Sequence, residues 1–199
     1  EAELIVVDGG STDATPDVAR GLARVIAGPA GRGAQLNRGA RRATGEILVF
    51  LHADTLVPRD AGERVREALV RPERAWGCFT FALAPASEPW SLYRLLEGAV
   101  RVRTQLFRTA TGDQVLFMSR GAFEAVGGFP DTRLFEDVEM VRRLRPLGRM
   151  EVLDAPARTS RRRWERDGFW RTVVRHWALR AGHALGLDAD RLARAYEVG

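Results

Sequence analysis

The chain contains no lysine; all 31 of its basic residues are arginine, set against 26 acids. Arginine without lysine points to a GC-rich genome more than to a mechanism. It also removes the lysine that a Gly-rich phosphate loop would use. There is one cysteine, so no intrachain disulfide can form. Cys78 lies in a strand-like run, Trp76 to Phe81, and reads as an inert core residue. No apolar run approaches the length needed to cross a bilayer. No secretory signal is visible, because Glu1, Ala2 and Glu3 lead at once into a strand-like run. A reducing cytoplasm fits, with the inner face of the cell membrane as a second address. Internal repeats and low-complexity segments are absent.

At 199 residues the chain suits one good-sized domain. The net charge of +5 is unevenly placed. Residues 158–199 hold 10 Arg against 5 acids, and residues 1–157 hold 21 against 21. A nucleic-acid binder would usually spread its basic patch over the main surface, so no nucleic-acid partner is expected. A basic, aromatic tail instead suits a local anion site or an anionic membrane surface.

Leu4 to Val7 is a short apolar, β-branched run ending at Asp8-Gly9-Gly10, which reads as a buried parallel strand. Thr15-Pro16-Asp17 resembles a helix start, with Thr15 as N-cap and the helix running to about Arg24. Val25 to Ala27 reads as a strand, 28–33 as a loop, Ala34 to Thr44 as a helix closed by Gly45, and Glu46 to Leu51 as a second buried strand. This alternation is the signature of an α/β fold with a parallel sheet. Such sheets bind ligands at the carboxyl ends of their strands, where Asp8 and Asp54 lie. Further on, helices are predicted over Arg59 to Val70, Trp90 to Phe107, Gly121 to Val126, Glu136 to Leu147 and Phe169 to Leu185. Strands are predicted over Gly77 to Leu83 and Gln114 to Ser119. Residues 1–165 form the expected core, and 166–199 basic amphipathic helices packed on that core or on a membrane.

Five constellations could carry chemistry. Asp8 before two glycines could accept hydrogen bonds from a nucleoside, with backbone approaching closely at Gly9; a plain turn is the alternative. Asp54 could hold a divalent cation, helped by His52, since Mg²⁺ keeps several waters and needs few carboxylates. Asp137, at a helix N-terminus, could serve as a base; its neighbour Glu136 reads as a helix-end acid. Arg161-Arg162-Arg163-Trp164 could meet phosphate with guanidinium and stack an indole, or be a solvated run. Gly112-Asp113-Gln114 is a polar patch entering an apolar strand, or a simple turn.

In order and spacing these stretches resemble a family 2 glycosyltransferase of GT-A fold. The resemblance rests on Val6 to Thr15, on Asn37 to Glu46 leading into Leu51-His52-Ala53-Asp54, on Val126 to Phe129, and on Phe135 to Glu139. Gly31 to Asn37, Gly112-Asp113-Gln114 and Thr159 to Trp164 resemble a bacterial "transferase 2" subgroup associated with radical-SAM and selenium-related genes.

The resemblance implies a Rossmann-like, mostly parallel sheet flanked by helices. It implies a nucleotide-sugar site at Asp8, Gly9, Arg32, Asn37 and Asp54, and Mg²⁺ or Mn²⁺ on Asp54 and His52. It implies Asp137 as the base of an inverting transfer, and an acceptor or diphosphate side at Asp113, Gln114, Arg163 and Trp164. The implied partners are a nucleotide-sugar donor, plausible as a UDP sugar, and a hydroxyl acceptor that could be a lipid.

Three departures accompany the match. His52 stands where the family's Asp-x-Asp has its first Asp. Ser160 stands where processive members have Gln, which argues against polymer synthesis. The chain also starts at what resembles the family's second strand, so one wall of the nucleotide pocket is expected to be missing. Two other functions compete: a catalytically inactive binding protein, and a nucleotidyltransferase, which the lysine-free Gly31-Arg32-Gly33 loop disfavours.

Overall fold

Two sheets, one small and one large, organise the chain. The computed structural model describes residues 2–71, 73–84, 92–188 and 191–194. Strands β1 (Ile5–Asp8) and β2 (Arg24–Ala27) pair in parallel as a two-stranded sheet. The other five strands are β3 (Ile47–Phe50), β4 (Thr55–Leu56), β5 (Trp76–Leu83), β6 (Leu116–Ser119) and β7 (Met150–Thr159). They form one sheet in the order β3-β6-β5-β7-β4. The α/β layering is the expected one, while the pairings are mixed. β5 and β7 run parallel; β3 with β6, β5 with β6 and β4 with β7 run antiparallel.

The helices are α1 (Thr15–Arg20), α2 (Arg32–Arg42), α3 (Ala61–Ala68), α4 (Leu92–Phe107), α5 (Arg120–Ala125), α6 (Glu136–Leu144), α7 (Arg162–Asp167) and α8 (Phe169–Ala184). Most lie where the sequence places them, with ends shifted. α1 stops at Arg20 rather than Arg24, because Arg24 is drawn into the ladder opposite Ile5. Thr15 is the first helical residue and not the cap; Asp13 accepts its N–H at 3.0 Å. Trp90, expected to begin α4, lies outside the described residues.

The large sheet is covered on both faces because its strands alternate. Leu116 and Met118 of β6 join Leu48, Phe50, Phe123, Phe129 and Met140 in one apolar cluster. Phe117, between them, joins Val65, Phe79 and Ala157 in the other. β1 differs: all four of its residues are only half-buried, not buried as its apolar run predicts. Among the described residues β1 pairs with β2 alone and β3 with β6 alone, so each has one unpaired edge.

β7, the longest strand, is not anticipated in the sequence. Asp154 and Pro156 break its apolar alternation, and a proline normally argues against a strand between two neighbours. A bulge admits it: Phe79 pairs with Leu153 and Thr80 with Pro156, so Asp154 and Ala155 drop out of register.

Candidate active site

The turn between α4 and β6 gathers the site. Gly112–Gln114 form one turn of 3-10 helix, closed by a reciprocal capping box between Thr111 and Gln114. Its three residues reach in three directions. The Gly112 N–H donates to Asp137 Oδ2 at 2.6 Å. Asp113 Oδ1 sits 3.5 Å from His52 Nδ1. Gln114, 1% exposed, accepts from Arg103 at 3.1 Å and donates to the Thr104 hydroxyl at 3.1 Å and the Phe79 carbonyl at 3.4 Å. Gly112 must be glycine, since a Cβ there would collide with the His52 ring.

Asp137 opens α6, where the unpaired backbone N–H groups favour an anion. The residue before that helix, Phe135, is held at φ 66°, and its ring stacks on His183 at 4.5 Å. Left-handed backbone at a phenylalanine is costly and persists where surrounding structure enforces it. Here it turns the chain sharply into the helix and aims Glu136 and Asp137. Glu136 points inward, 1% exposed, and pairs with Arg32 at 3.0 Å. Burial first, then the adjacent Asp137, pushes its carboxyl above the usual range, against the pull of Arg32. It is a strut between α2 and α6.

Asp113 and His52 stabilise each other's charge. Half of the Asp113 side chain faces the open cleft. What burial it has works to raise its carboxyl, but the His52 hydrogen bond and charge, with Arg32 and His176, outweigh this and hold it low. For His52 burial works downward, and the Asp113 bond and charge outweigh it, so the imidazole is raised.

The donor-side residues are arranged differently. The Asp8 carboxylate accepts from the Ser11 hydroxyl at 2.5 Å and the Gly10 N–H at 3.2 Å. The Ser11 hydroxyl above all holds it below the usual carboxylate range. Gly9 packs against Gln35, whose amide donates to the Val7 carbonyl at 2.9 Å. Asn37 uses both ends of its amide on the Phe129 backbone, each at 2.8 Å, so it fastens α2 to the large sheet's core. Arg32 is engaged with Glu136, its side chain half exposed.

Asp54 is exposed, and its carboxylate makes no hydrogen bond. Among the described residues no three His, Cys, Asp or Glu side chains converge as a metal cage. One free carboxylate is still a set that Mg²⁺ or Mn²⁺ accepts when phosphate oxygens and water complete the shell. His52 turns its Nδ1 to Asp113.

Trp164 is half-buried in an aromatic group with Tyr93 and Phe169, its ring edge-on to His176 at 5.6 Å. Arg161 lies over Tyr93 at 4.9 Å. Arg163 is exposed beside them on α7. α8 turns its tryptophans away from the core. Trp170 and Trp177 do not pack on the sheet; they are 64% and 70% exposed. The inward face carries Thr172, His176, Leu179 and Arg180 instead. Arg103 and Arg180, both facing Asp113 and Asp137, are the functional candidates that the sequence did not flag. A cavity of about 340 Å³, lined by Arg74, Gln105, Arg149 and Val152 among others, includes none of the expected site residues.

Residues 1–97 match the model of the family described as glycosyl transferase family 2. No curated protein matches the sequence. Solved structures do. The mannosyltransferase PcManGT from Pyrobaculum calidifontis, in complex with GDP-Man and Mn²⁺, is 23% identical with a TM-score of 0.59, over 92% of this chain and 52% of that one. TarS 1-349 of S. aureus with UDP-GlcNAc is 17% identical with a TM-score of 0.56, over 80% and 50%. Glucosyl-3-phosphoglycerate synthase from Mycobacterium tuberculosis, with Mn²⁺, UDP-Glc and phosphoglyceric acid, is 22% identical with a TM-score of 0.52, over 75% and 57%. This chain thus spans about half the length of the structures it resembles. The likeness is one of fold, the mixed α/β GT-A arrangement of glycosyltransferases.

Proposed function

We propose that the chain is a family 2 glycosyltransferase that moves a sugar, with inversion, from a nucleoside-diphosphate sugar to a hydroxyl acceptor. The observation that carries this reading is Asp137. Its carboxylate is fixed by the Gly112 N–H at 2.6 Å, at a helix N-terminus, beside the Asp113–His52 pair. A base must be held in place before the acceptor arrives, and this arrangement holds it. The family match over residues 1–97 and the donors bound by the similar structures, GDP-Man, UDP-GlcNAc and UDP-Glc, support the donor class. A UDP-linked sugar is our choice among them, and the radical-SAM- and selenium-associated group our choice of subgroup.

The acceptor oxygen attacks the anomeric carbon from the face opposite the leaving group. As that bond forms, the bond from anomeric carbon to phosphate oxygen breaks and the nucleoside diphosphate departs. Asp137 takes the acceptor proton. Asp8 and Gly9 orient the nucleoside, and Arg32, half exposed beside Glu136, is assigned to the donor with them. Mg²⁺ or Mn²⁺ on Asp54, with His52 nearby, would supply positive charge for the diphosphate. Arg163 and Trp164 line the acceptor or diphosphate side with Asp113, while Gln114 braces it from below.

Asp137→Asn keeps the shape and removes the base. Transfer should fall by about 10²–10⁴-fold, the usual contribution of a positioned base. Calorimetry with UDP and Mn²⁺ should give unchanged donor affinity. Retained transfer would remove Asp137 from the role.

One observation favours a second reading, a GT-A-like protein that binds without transferring. The Asp8 carboxylate is already satisfied by its own turn, on a strand with one unpaired edge. Absence of any metal-dependent UDP binding would favour it.

A further inference from the structure

Two guanidinium groups near Asp137 form no ion pair among the described residues. Arg103 comes from α4 and Arg180 from α8. Arg103 gives one N–H to Gln114, but its Nε is sealed from solvent without an acceptor. One terminal nitrogen of Arg180 is sealed and unpartnered in the same way. Neither makes an ion pair among the described residues. Buried donors are normally satisfied, and buried cations normally paired.

Burial dominates the electrostatics of both guanidinium groups, ahead of the pull from Asp137 and Asp113. Burial pushes the Arg103 guanidinium down to about 10, and Arg180 adds to the effect. Burial also lowers Arg180, although Asp137 and Asp113 pull the other way. His176, on the same inward face of α8, is lowered by burial first, with Asp113 pulling the other way and Arg163, Arg180 and Arg175 adding to the lowering.

The orientation of α8 sharpens the point. A helix bearing Trp170 and Trp177 would ordinarily bury them and leave its arginines in water. Here the tryptophans face out while His176 and Arg180 face in. Thr172 and Leu179 anchor that inward face, and it carries His176 and Arg180 in with them.

We propose that Arg103 and Arg180 form an oxyanion subsite on the acceptor side of Asp137, holding a phosphate or carboxylate carried by the acceptor. Guanidinium forks match such groups in geometry and charge. The subsite belongs to the acceptor because the pair stands on α4 and α8, past Asp137 and Asp113. The donor's diphosphate is assigned to the Asp54 and Asp8 strand ends. An anion held there would place a neighbouring hydroxyl at Asp137. The inference rests on the transferase reading above for its word "acceptor", and on the unpartnered nitrogens for the anion.

Inorganic phosphate titrated into the full chain tests it, read by calorimetry and thermal unfolding, with and without saturating UDP and Mn²⁺. Phosphate should bind saturably and raise the melting temperature. Arg103→Gln and Arg180→Gln should each weaken it about tenfold, as loss of a charge-assisted bond does. Arg180→Lys should recover part of that loss. Circular dichroism checks each variant, and if Arg103→Gln does not fold, Arg180→Gln decides. UDP and Mn²⁺ should leave phosphate affinity unchanged. Three results overturn the proposal: no saturable binding by the parent chain, equal affinity in the Gln variants, or expulsion of phosphate by UDP, which would give the pair to the donor's diphosphate. Phosphate binding that persists in a chain unable to bind UDP supports the subsite and defeats the transferase reading instead.

Discussion

The proposed base side and the proposed nucleoside side of this cleft are built to different standards. Asp137 is held by the Gly112 and Val138 N–H groups, Asp113 by His52, and Gln114 by two α4 side chains and the Phe79 carbonyl of the five-stranded sheet. Asp8 hangs from a two-stranded sheet and is held by its own turn. Helix α2 joins the two: Asn37 and Arg32 grip the core side, and Gln35 grips β1. If the proposed roles hold, a firmly held base faces a lightly held binding wall, and loosely held elements are the ones that move. The difference teaches where order is already present and where a ligand would have to supply it.

The comparison breaks if the brace under the base is dispensable. Gln114→Ala would strand the Arg103 N–H, the Thr104 hydroxyl and the Phe79 carbonyl in a buried space, and leave a cavity. Unfolding in urea should show a loss of about 3 kcal/mol, the upper range for several orphaned groups. A loss near zero would mean the turn is held by its backbone alone.

The two grips of α2 give the next test. Asn37→Ala removes two bonds to the half-buried Phe129 backbone and should cost about 2 kcal/mol of global stability. Gln35→Ala removes one bond to Val7 and should cost about 1 kcal/mol or less. Hydrogen exchange distinguishes them more cleanly. Gln35→Ala should speed exchange in β1 and β2 only, whereas Asn37→Ala should affect the core of the large sheet. Equal spread in both variants would merge the regions.

Much of this division was legible in the sequence, and the reasons differ by region. Ile5 to Asp8 and Ile47 to Phe50 announce themselves because short β-branched runs end at polar turns. Asp8, Asp54 and Asp137 could be picked out because they follow strands or open a helix. Arg103 and Arg180 could not, because each is one arginine among many and its meaning comes from what it faces. β7 was hidden by Pro156, which the bulge at Asp154 and Ala155 accommodates. The apolar stripe on α8 was visible, but not its direction. Amphipathic pattern says which residues share a face and leaves open whether that face meets the sheet or solvent.

Cys78 sharpens the contrast at smaller scale. It lies wholly buried under the large sheet's helices, and burial pushes its thiol up to about 12. A folded value above the unfolded 9.0 means the neutral thiol is favoured by folding. That contribution is complete below pH 9 and is lost as pH rises toward 12. A thiol reagent at pH 8 should leave the native chain unlabelled and label it fully in denaturant. Rapid native labelling would show that this part of the core opens as readily as the β1 side.

The smallest effect on stability is expected at the outward face of α8. Trp170, Val174 and Trp177 are 64%, 65% and 70% exposed, so replacing both tryptophans with serine removes little packing. The melting curve should move by about 0.5 kcal/mol or less, as for other surface changes. The same replacement should matter at a membrane. No helix among the described residues is long and apolar enough to cross one. A tryptophan face next to a basic segment can still lie on an anionic surface, with indoles at headgroup depth and arginines meeting phosphate. Co-sedimentation with vesicles containing phosphatidylserine should be clear for the parent chain, weaker for the serine variant, and reduced by salt. Equal sedimentation of the two, or none by either, would return this face to solvent. It would leave the inward face, with His176 and Arg180, as the side of α8 proposed to meet a ligand.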